Sequence, residues 1–151
     1  MSVSNSIEKY CQYQERCHRE VRNKLYELGC SKSEVEFHLA EMIAKNLVNE
    51  ERYARAVARG KFRMMNWGRN KIVYKLRSSQ VSPYCIRKAL SEIDPDEYQE
   101  VLRRLARKKY DSLSGKKELR KLKTYNFLFS RGYEADLINE VLKEIADPTE
   151  R

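Results

Sequence analysis

At 151 residues, with 41% apolar and 35% charged residues but only five glycines and three prolines, the chain has a lean core and few tight turns. That balance disfavours an all-β sandwich or barrel and favours slender helices with much exposed surface. A formal net charge of +9 directs the protein toward a polyanion or an acidic protein surface.

The N-terminal MSVSNSIEKY lacks the apolar core of a signal peptide, and no apolar run is long enough to span a bilayer. Cys11, Cys17, Cys30 and Cys85 follow no paired spacing, so free thiols and a cytoplasmic location are expected. Ile7, Tyr10, Gln14, Cys17, Val21, Leu25 and Leu28 recur at three- and four-residue steps and predict one long helix stopping at Gly29. Ser31 with Glu34 makes a capping box for a second helix, whose inner face is Val35, Leu39, Met42 and Ile43.

Asn49 followed by Glu50 and Glu51 predicts a third start, with acids at the positive end of the helix dipole. This helix runs to about Met65, with Tyr53, Val57, Gly60 and Met64 as its apolar line. In the helix after it, Ile72, Val73 and Leu76 face inward. Ser82-Pro83 and Asp94-Pro95 each pair an N-cap residue with proline at the first helical position. The second of these opens a helix over Asp96 to Lys109, and Ser112, Ser114 and Gly115 mark a linker. Asp147-Pro148 closes the last element.

Laid over itself, the chain shows a repeat. Lys24–Met42 aligns without a gap on Lys75–Ile93 at an offset of 51, and Phe127–Ile145 follows at a further 52. Leu25, Leu76 and Leu128 coincide, as do Cys30, Val81 and Tyr133, then Val35, Ile86 and Ile138. Leu39, Leu90 and Leu142, and then Met42, Ile93 and Ile145, complete the columns. Each unit reads as helix, turn, helix and a third helix, which the last unit lacks. The expected fold is all-α, an elongated curved array of tandem three-helix repeats. Its units are residues 1–65, with an N-terminal extension, 66–112, and a truncated 113–151.

Charge is segregated along this array. Residues 52–91 hold eleven basic side chains and no acidic one, and residues 103–123 are net +8, which leaves the remainder at −10. Arg52, Arg55, Arg59 and Arg63 form a stripe on one helix, with Lys61 beside them, and Arg69, Lys71, Lys75 and Arg77 continue the charge. Arg103, Arg104, Arg107 and Lys108 repeat the theme in the second block. Like charges at i,i+4 cost roughly a few tenths of a kcal/mol per pair, which a purely structural face relieves with glutamate. These thirteen residues are therefore the candidate binding surface, for a phosphate backbone or an acidic protein groove. The blander alternative is an adaptor whose charges serve solubility. Tyr53, Phe62, Trp67, Tyr74 and Tyr110 lie among the charges and are candidates for base stacking. For Trp67 the preferred role is packing at a junction beside Gly68, where backbones approach closely.

Nothing in the sequence assembles a catalytic or metal centre. His18 and His38 lie inside predicted helices, and Cys17 and His18, being adjacent, point about 100° apart. There is no C-x-x-C, no phosphate loop and no nucleophile elbow. The expectation is a non-enzyme with no catalytic residues, metal or cofactor.

The stretch LVNEERYARAVARGKFRMMNWGRNKIVYKLRSSQVS resembles the RecX family of bacterial regulatory proteins. That family is marked by an acidic pair before an aromatic-Ala-Arg-Ala helix, then a glycine, a basic-Ile step and a Lys/Arg-rich amphipathic helix. The matching positions are Glu50, Glu51, Tyr53, Ala54, Arg55, Gly68, Lys71, Ile72 and Leu76, and the resemblance spans about Arg16 to Ile145. The chain departs from the pattern with Asn49-Glu50-Glu51 in place of the usual aspartate pair, and with Glu134 in place of a serine cap. The resemblance implies tandem three-helix units and a non-enzymatic modulator of the RecA recombinase. Such a protein binds along the RecA–DNA filament and inhibits strand exchange, ATPase and co-protease activity, acting in recombination, DNA repair and the SOS response. It also implies single- or double-stranded DNA binding, and a monomer without membrane association is expected. The alternative is an independent basic DNA-binding module.

Overall fold

The apolar stripe from Ile7 to Leu28 is carried on two helices, not one. In the computed structural model, which describes residues 2–147, α1 spans Val3–Tyr13 and α2 spans His18–Glu27. Gln14 leaves α1 with extended backbone, and Cys17, also extended, caps α2. The Glu20 N–H donates to Cys17 Sγ at 3.4 Å, while the Cys17 N–H donates to the Glu20 carboxylate at 3.0 Å. Cysteine lies outside the usual N-cap set, so this capping box is invisible to composition rules. Of the stripe, Ile7, Cys17, Val21 and Leu25 are buried, Tyr10 and Leu28 are half-buried and Gln14 is exposed, while Cys11 is buried in addition.

The starts of four further helices fall where local chemistry puts them. α3 (Lys32–Ala44) has the expected Ser31–Glu34 capping box, with bonds of 2.8 and 3.3 Å. Its buried face is narrower than expected, since Val35, Leu39 and Met42 are buried but Ile43 is exposed. α4 (Glu50–Met65) is capped by Asn49, whose carboxamide accepts from the Arg52 N–H at 2.9 Å. Its buried line is Tyr53, Ala54, Ala58 and Phe62, not Val57, Gly60 and Met64, and Met64 is 85% exposed. The two small alanines mark the inward seam, whereas the sequence pattern followed the bulkier side chains.

α5 (Arg69–Ser78) buries Ile72 and Leu76, with Val73 only partly covered. α6 (Pro83–Leu90) and α7 (Pro95–Ser112) begin at their prolines, capped by Ser82 and Asp94. α8 (Lys117–Ser130) and α9 (Ala135–Ala146) follow, and Pro148 of the expected stop lies outside the described residues. No strand occurs among the described residues.

Two compact units result. The first holds the residues up to Ala58 together with Lys75–Leu90, and the second holds Arg59–Tyr74 and the residues from Ser91 on. In the first, α1, α2 and α3 pack on one another around Ile7, Val21, Leu25, Val35, Leu39 and Met42. In the second, α7, α8 and α9 pack on one another, burying Tyr98, Leu102, Ala106, Leu128, Tyr133 and Ile138.

The repeat is visible as a turn geometry. Leu25, Leu76 and Leu128 are each fully buried, and each carbonyl accepts from the N–H five residues on, at 3.1, 3.1 and 3.2 Å. The residue just before each donor is left-handed: Gly29 (φ 90°), Gln80 (φ 61°) and Gly132 (φ 99°). These are the same Schellman closure of a helix in three places. Gln80 alone bears a Cβ in that conformation, which costs an L-residue roughly 1–2 kcal/mol. Gln80→Gly is therefore expected to stabilise the protein by about 0.5–1 kcal/mol after glycine's own entropy is counted. A higher urea midpoint with unchanged slope would show this, and an unchanged or lower midpoint would refute it.

Candidate functional site

The link between α4 and α5, Asn66-Trp67-Gly68, is the structural centre of the basic run. Asn66 adopts a left-handed conformation (φ 55°), which asparagine tolerates better than most residues. Four hydrogen bonds then bind this segment to the turn at residues 131–133. The Gly68 N–H donates to the Arg131 carbonyl (2.8 Å) and the Asn70 N–H to the Gly132 carbonyl (2.9 Å). The Arg131 guanidinium donates to the Met65 carbonyl (3.1 Å) and the Tyr133 hydroxyl to the Asn66 carbonyl (2.8 Å). Backbone meets backbone here, and a Cβ on Gly68 would stand 2.3 Å from the Gly132 carbonyl carbon.

An aromatic base supports the link. The Tyr98 ring lies 5.8 Å from Phe62 and 5.2 Å from Tyr133, and all three side chains are buried. The Tyr98 hydroxyl accepts from the Arg69 N–H at 2.9 Å and donates to Glu134. Glu134 also takes the Arg69 guanidinium at 2.9 Å, while that guanidinium sits 3.9 Å above the Tyr98 ring. The missing serine cap of α9 thus has a reason: Glu134 caps nothing in its own helix and instead ties α9 to the starts of α5 and α7. Burial, reinforced by the Glu134 bond, pushes the Tyr98 hydroxyl far above its ordinary pKa, and burial pushes Tyr133 up to about 12. Both remain proton donors at any physiological pH.

The predicted basic residues divide by what they touch. Arg52 meets Glu15 at 2.6 Å and the Asn46 side chain and carbonyl at 3.2 and 3.0 Å. Arg55 pairs with Glu51 (3.0 Å), Arg59 with Glu92 (3.1 Å), Arg103 with Glu144 (3.3 Å) and Arg107 with Asp111 (3.8 Å). The stripe that lacks acids in sequence is therefore not acid-free in space, because Glu15, Glu51 and Glu92 reach it from outside the run. Partly exposed pairs of this kind contribute about 0–1 kcal/mol and leave little net field.

Lys61, Arg63, Lys71, Lys75, Arg77, Arg104 and Lys108 form no ion pair among the described residues. Several of them gather around the link in the second unit. The Lys61 and Lys71 ammoniums lie 5.0 and 4.7 Å from the Trp67 ring centre. Lys108 lines a cavity of about 310 Å³ together with Asn66, Lys109 and Arg131. Lys109 and Arg131 were not singled out by the sequence; Arg131 gains its place only because it precedes the left-handed Gly132. Of the aromatic candidates, Tyr53, Phe62 and Tyr110 are buried and closed to stacking, while Tyr74 is 75% exposed and Trp67 is partly exposed. The arrangement is a backbone crossing whose one carboxylate, Glu134, is taken by Arg69, while Lys61, Lys71, Lys108 and Arg131 around it form no ion pair among the described residues, which suits a polyanion.

Comparisons with known proteins agree in direction. Residues 49–90 match the family described as RecX, second three-helix domain, and residues 96–142 the RecX third three-helix domain. Regulatory protein RecX of Clostridium perfringens (strain 13 / Type A) is 34% identical over 133 residues, covering 85% of this chain and 61% of that protein. The chain thus spans about three-fifths of the length of that clostridial relative. Regulatory protein RecX of Chromobacterium violaceum is 31% identical over 129 residues, covering 85% of this chain and 81% of its own. The crystal structure of RecX from Lactobacillus salivarius superposes with a TM-score of 0.82 at 23% identity, over 95% of this chain and 94% of that one. That last likeness shows the fold, an all-helical array of tandem three-helix units.

Proposed function

This chain belongs to the RecX family of regulatory proteins, and we propose that it binds the RecA–DNA filament and lowers RecA's recombinase, ATPase and co-protease activities. The observation that carries this reading is the cluster of Lys61, Lys71 and Lys108 around the Asn66-Trp67-Gly68 link, cations without a carboxylate partner on a rigid crossing. A filament presents phosphate and acidic protein surface together, and a fixed array of unpaired cations suits both. Regulation of this kind needs binding but no covalent chemistry, in keeping with relatives named as regulatory proteins.

DNA-stimulated ATP hydrolysis and strand exchange by RecA, measured with increasing amounts of the protein, test the proposal. Both are expected to fall at ratios below one protein per RecA. Unchanged rates at stoichiometric ratios would sink it. Affinity for the assembled filament should also exceed affinity for the same DNA bare; the reverse order would favour the independent DNA-binding module.

A further inference from the structure

The cavity beside the link has a chemistry of its own. It measures about 310 Å³, and its lining carries Lys108, Lys109 and Arg131 but no carboxylate. Phe127 organises two of these cations, with Lys109 Nζ and Arg131 Cζ each 5.0 Å from its ring centre. Arg131 is fixed further by the 3.1 Å bond to the Met65 carbonyl. Its remaining donors, and the Asn66 carboxamide, have no hydrogen-bond partner among the described residues. Ser112 also lines the cavity, but its hydroxyl is committed to the Lys109 carbonyl at 2.6 Å. Three converging cations repel one another, and an anion in the cavity relieves that repulsion.

We propose that this cavity is a receptor for a terminal phosphate, the dianionic monoester at the end of a nucleic-acid strand or of a nucleotide. Shape and charge both separate a monoester from a backbone diester. A monoester offers three unsubstituted oxygens and about −1.5 to −2 charge near pH 7, and it enters a concave site end-on. A diester offers two such oxygens and one charge, with a sugar on either side that holds it at the rim. The proposal rests on the polyanion reading of the surface for the source of the phosphate, but not for the phosphate itself.

The test uses the full chain in two arms. In the first, affinity is measured for one single-stranded oligonucleotide bearing a 5′-phosphate, a 3′-phosphate or hydroxyls at both ends. A phosphorylated end is expected to bind about fivefold tighter than a hydroxyl end, from its added charge of about −1.5 to −2 in a water-exposed site. In Lys109→Gln that ratio is expected to collapse to near one; Lys108→Gln serves as a second variant. In the second arm, inorganic phosphate alone is titrated while amide resonances are followed, with shifts expected for residues 105–112 and 127–131. A phosphate response without an end preference supports the cavity and assigns a free phosphate or nucleotide as the source. Equal affinities for all ends with no phosphate response overturn the cavity, while strand binding itself leaves the surface reading standing. Loss of all strand and filament binding with the phosphate response kept would defeat the surface reading and not the cavity. An end preference that persists in both lysine variants also overturns it.

Discussion

Gly68→Ala is expected to destabilise the protein by about 3 kcal/mol or more. The new Cβ would lie 2.3 Å from the Gly132 carbonyl carbon and 2.4 Å from both the Gly132 oxygen and the Tyr133 nitrogen. All three are backbone atoms, so no side chain can swing aside. Relief requires separating the link from the 131–133 turn, which breaks the 2.8 Å bond from Gly68 to Arg131 and the 2.9 Å bond from Asn70 to Gly132. For a chain of this length the melting temperature is expected to fall by roughly 6–12 °C. Gly60→Ala is the matched control. Its Cβ would meet nothing within 4 Å, and it sits inside α4, so a gain of up to about 1 kcal/mol from helix propensity is expected. Thermal melts of both variants decide the matter: a Gly68→Ala protein as stable as wild type would mean that the crossing is not rigid.

The second large effect concerns binding. The triple variant Lys61→Glu, Lys71→Glu and Lys108→Glu is expected to bind the RecA–DNA filament at least about a hundredfold more weakly. Its salt slope should be shallower by up to about 0.7–0.9 for each phosphate that the variant no longer neutralises. These three lysines form no ion pair among the described residues, so their removal costs the fold little beyond the two cation–π contacts of Lys61 and Lys71 with Trp67, about 0.5–1 kcal/mol each. Arg52 and Arg59 are the informative contrast. They are already satisfied by Glu15 and Glu92, so Arg52→Gln and Arg59→Gln are expected to change affinity less than about threefold. Filament-binding titrations at two salt concentrations, with thermal melts to show that each variant folds, make the comparison. Equal losses from the paired and unpaired sets would refute the division of the basic residues drawn from their partners.

Legibility in the sequence followed the range of the interactions concerned. Helix starts at Ser31, Asn49, Ser82 and Asp94 were readable, because an N-cap bonds a backbone group only two or three residues away. So was the three-fold repeat, because the buried leucine and the left-handed residue four positions later make one local motif. The break between α1 and α2 was missed, although it too is local, because a thiol serves as the capping acceptor there. The inward line of α4 was displaced for a different reason: small residues mark a close approach only when the opposing surface is known.

What the sequence determined by itself is the class of fold, the repeat and the segregation of charge, all of them consequences of periodicity and of bonds closed within one helical turn. Only the tertiary structure decided which cations stay free. The partners that occupy Arg52, Arg59 and Arg69 lie 37, 33 and 65 residues away in the chain, distances over which spacing carries no information. The same holds for Trp67 and the Asn66-Trp67-Gly68 link. A glycine marked the link as a junction, and it became a crossing because Gly132, on another helix turn, also lacks a side chain. The meeting of distant segments depends on the packing of the core beneath them, here Phe62, Tyr98 and Tyr133. No local rule contains that packing.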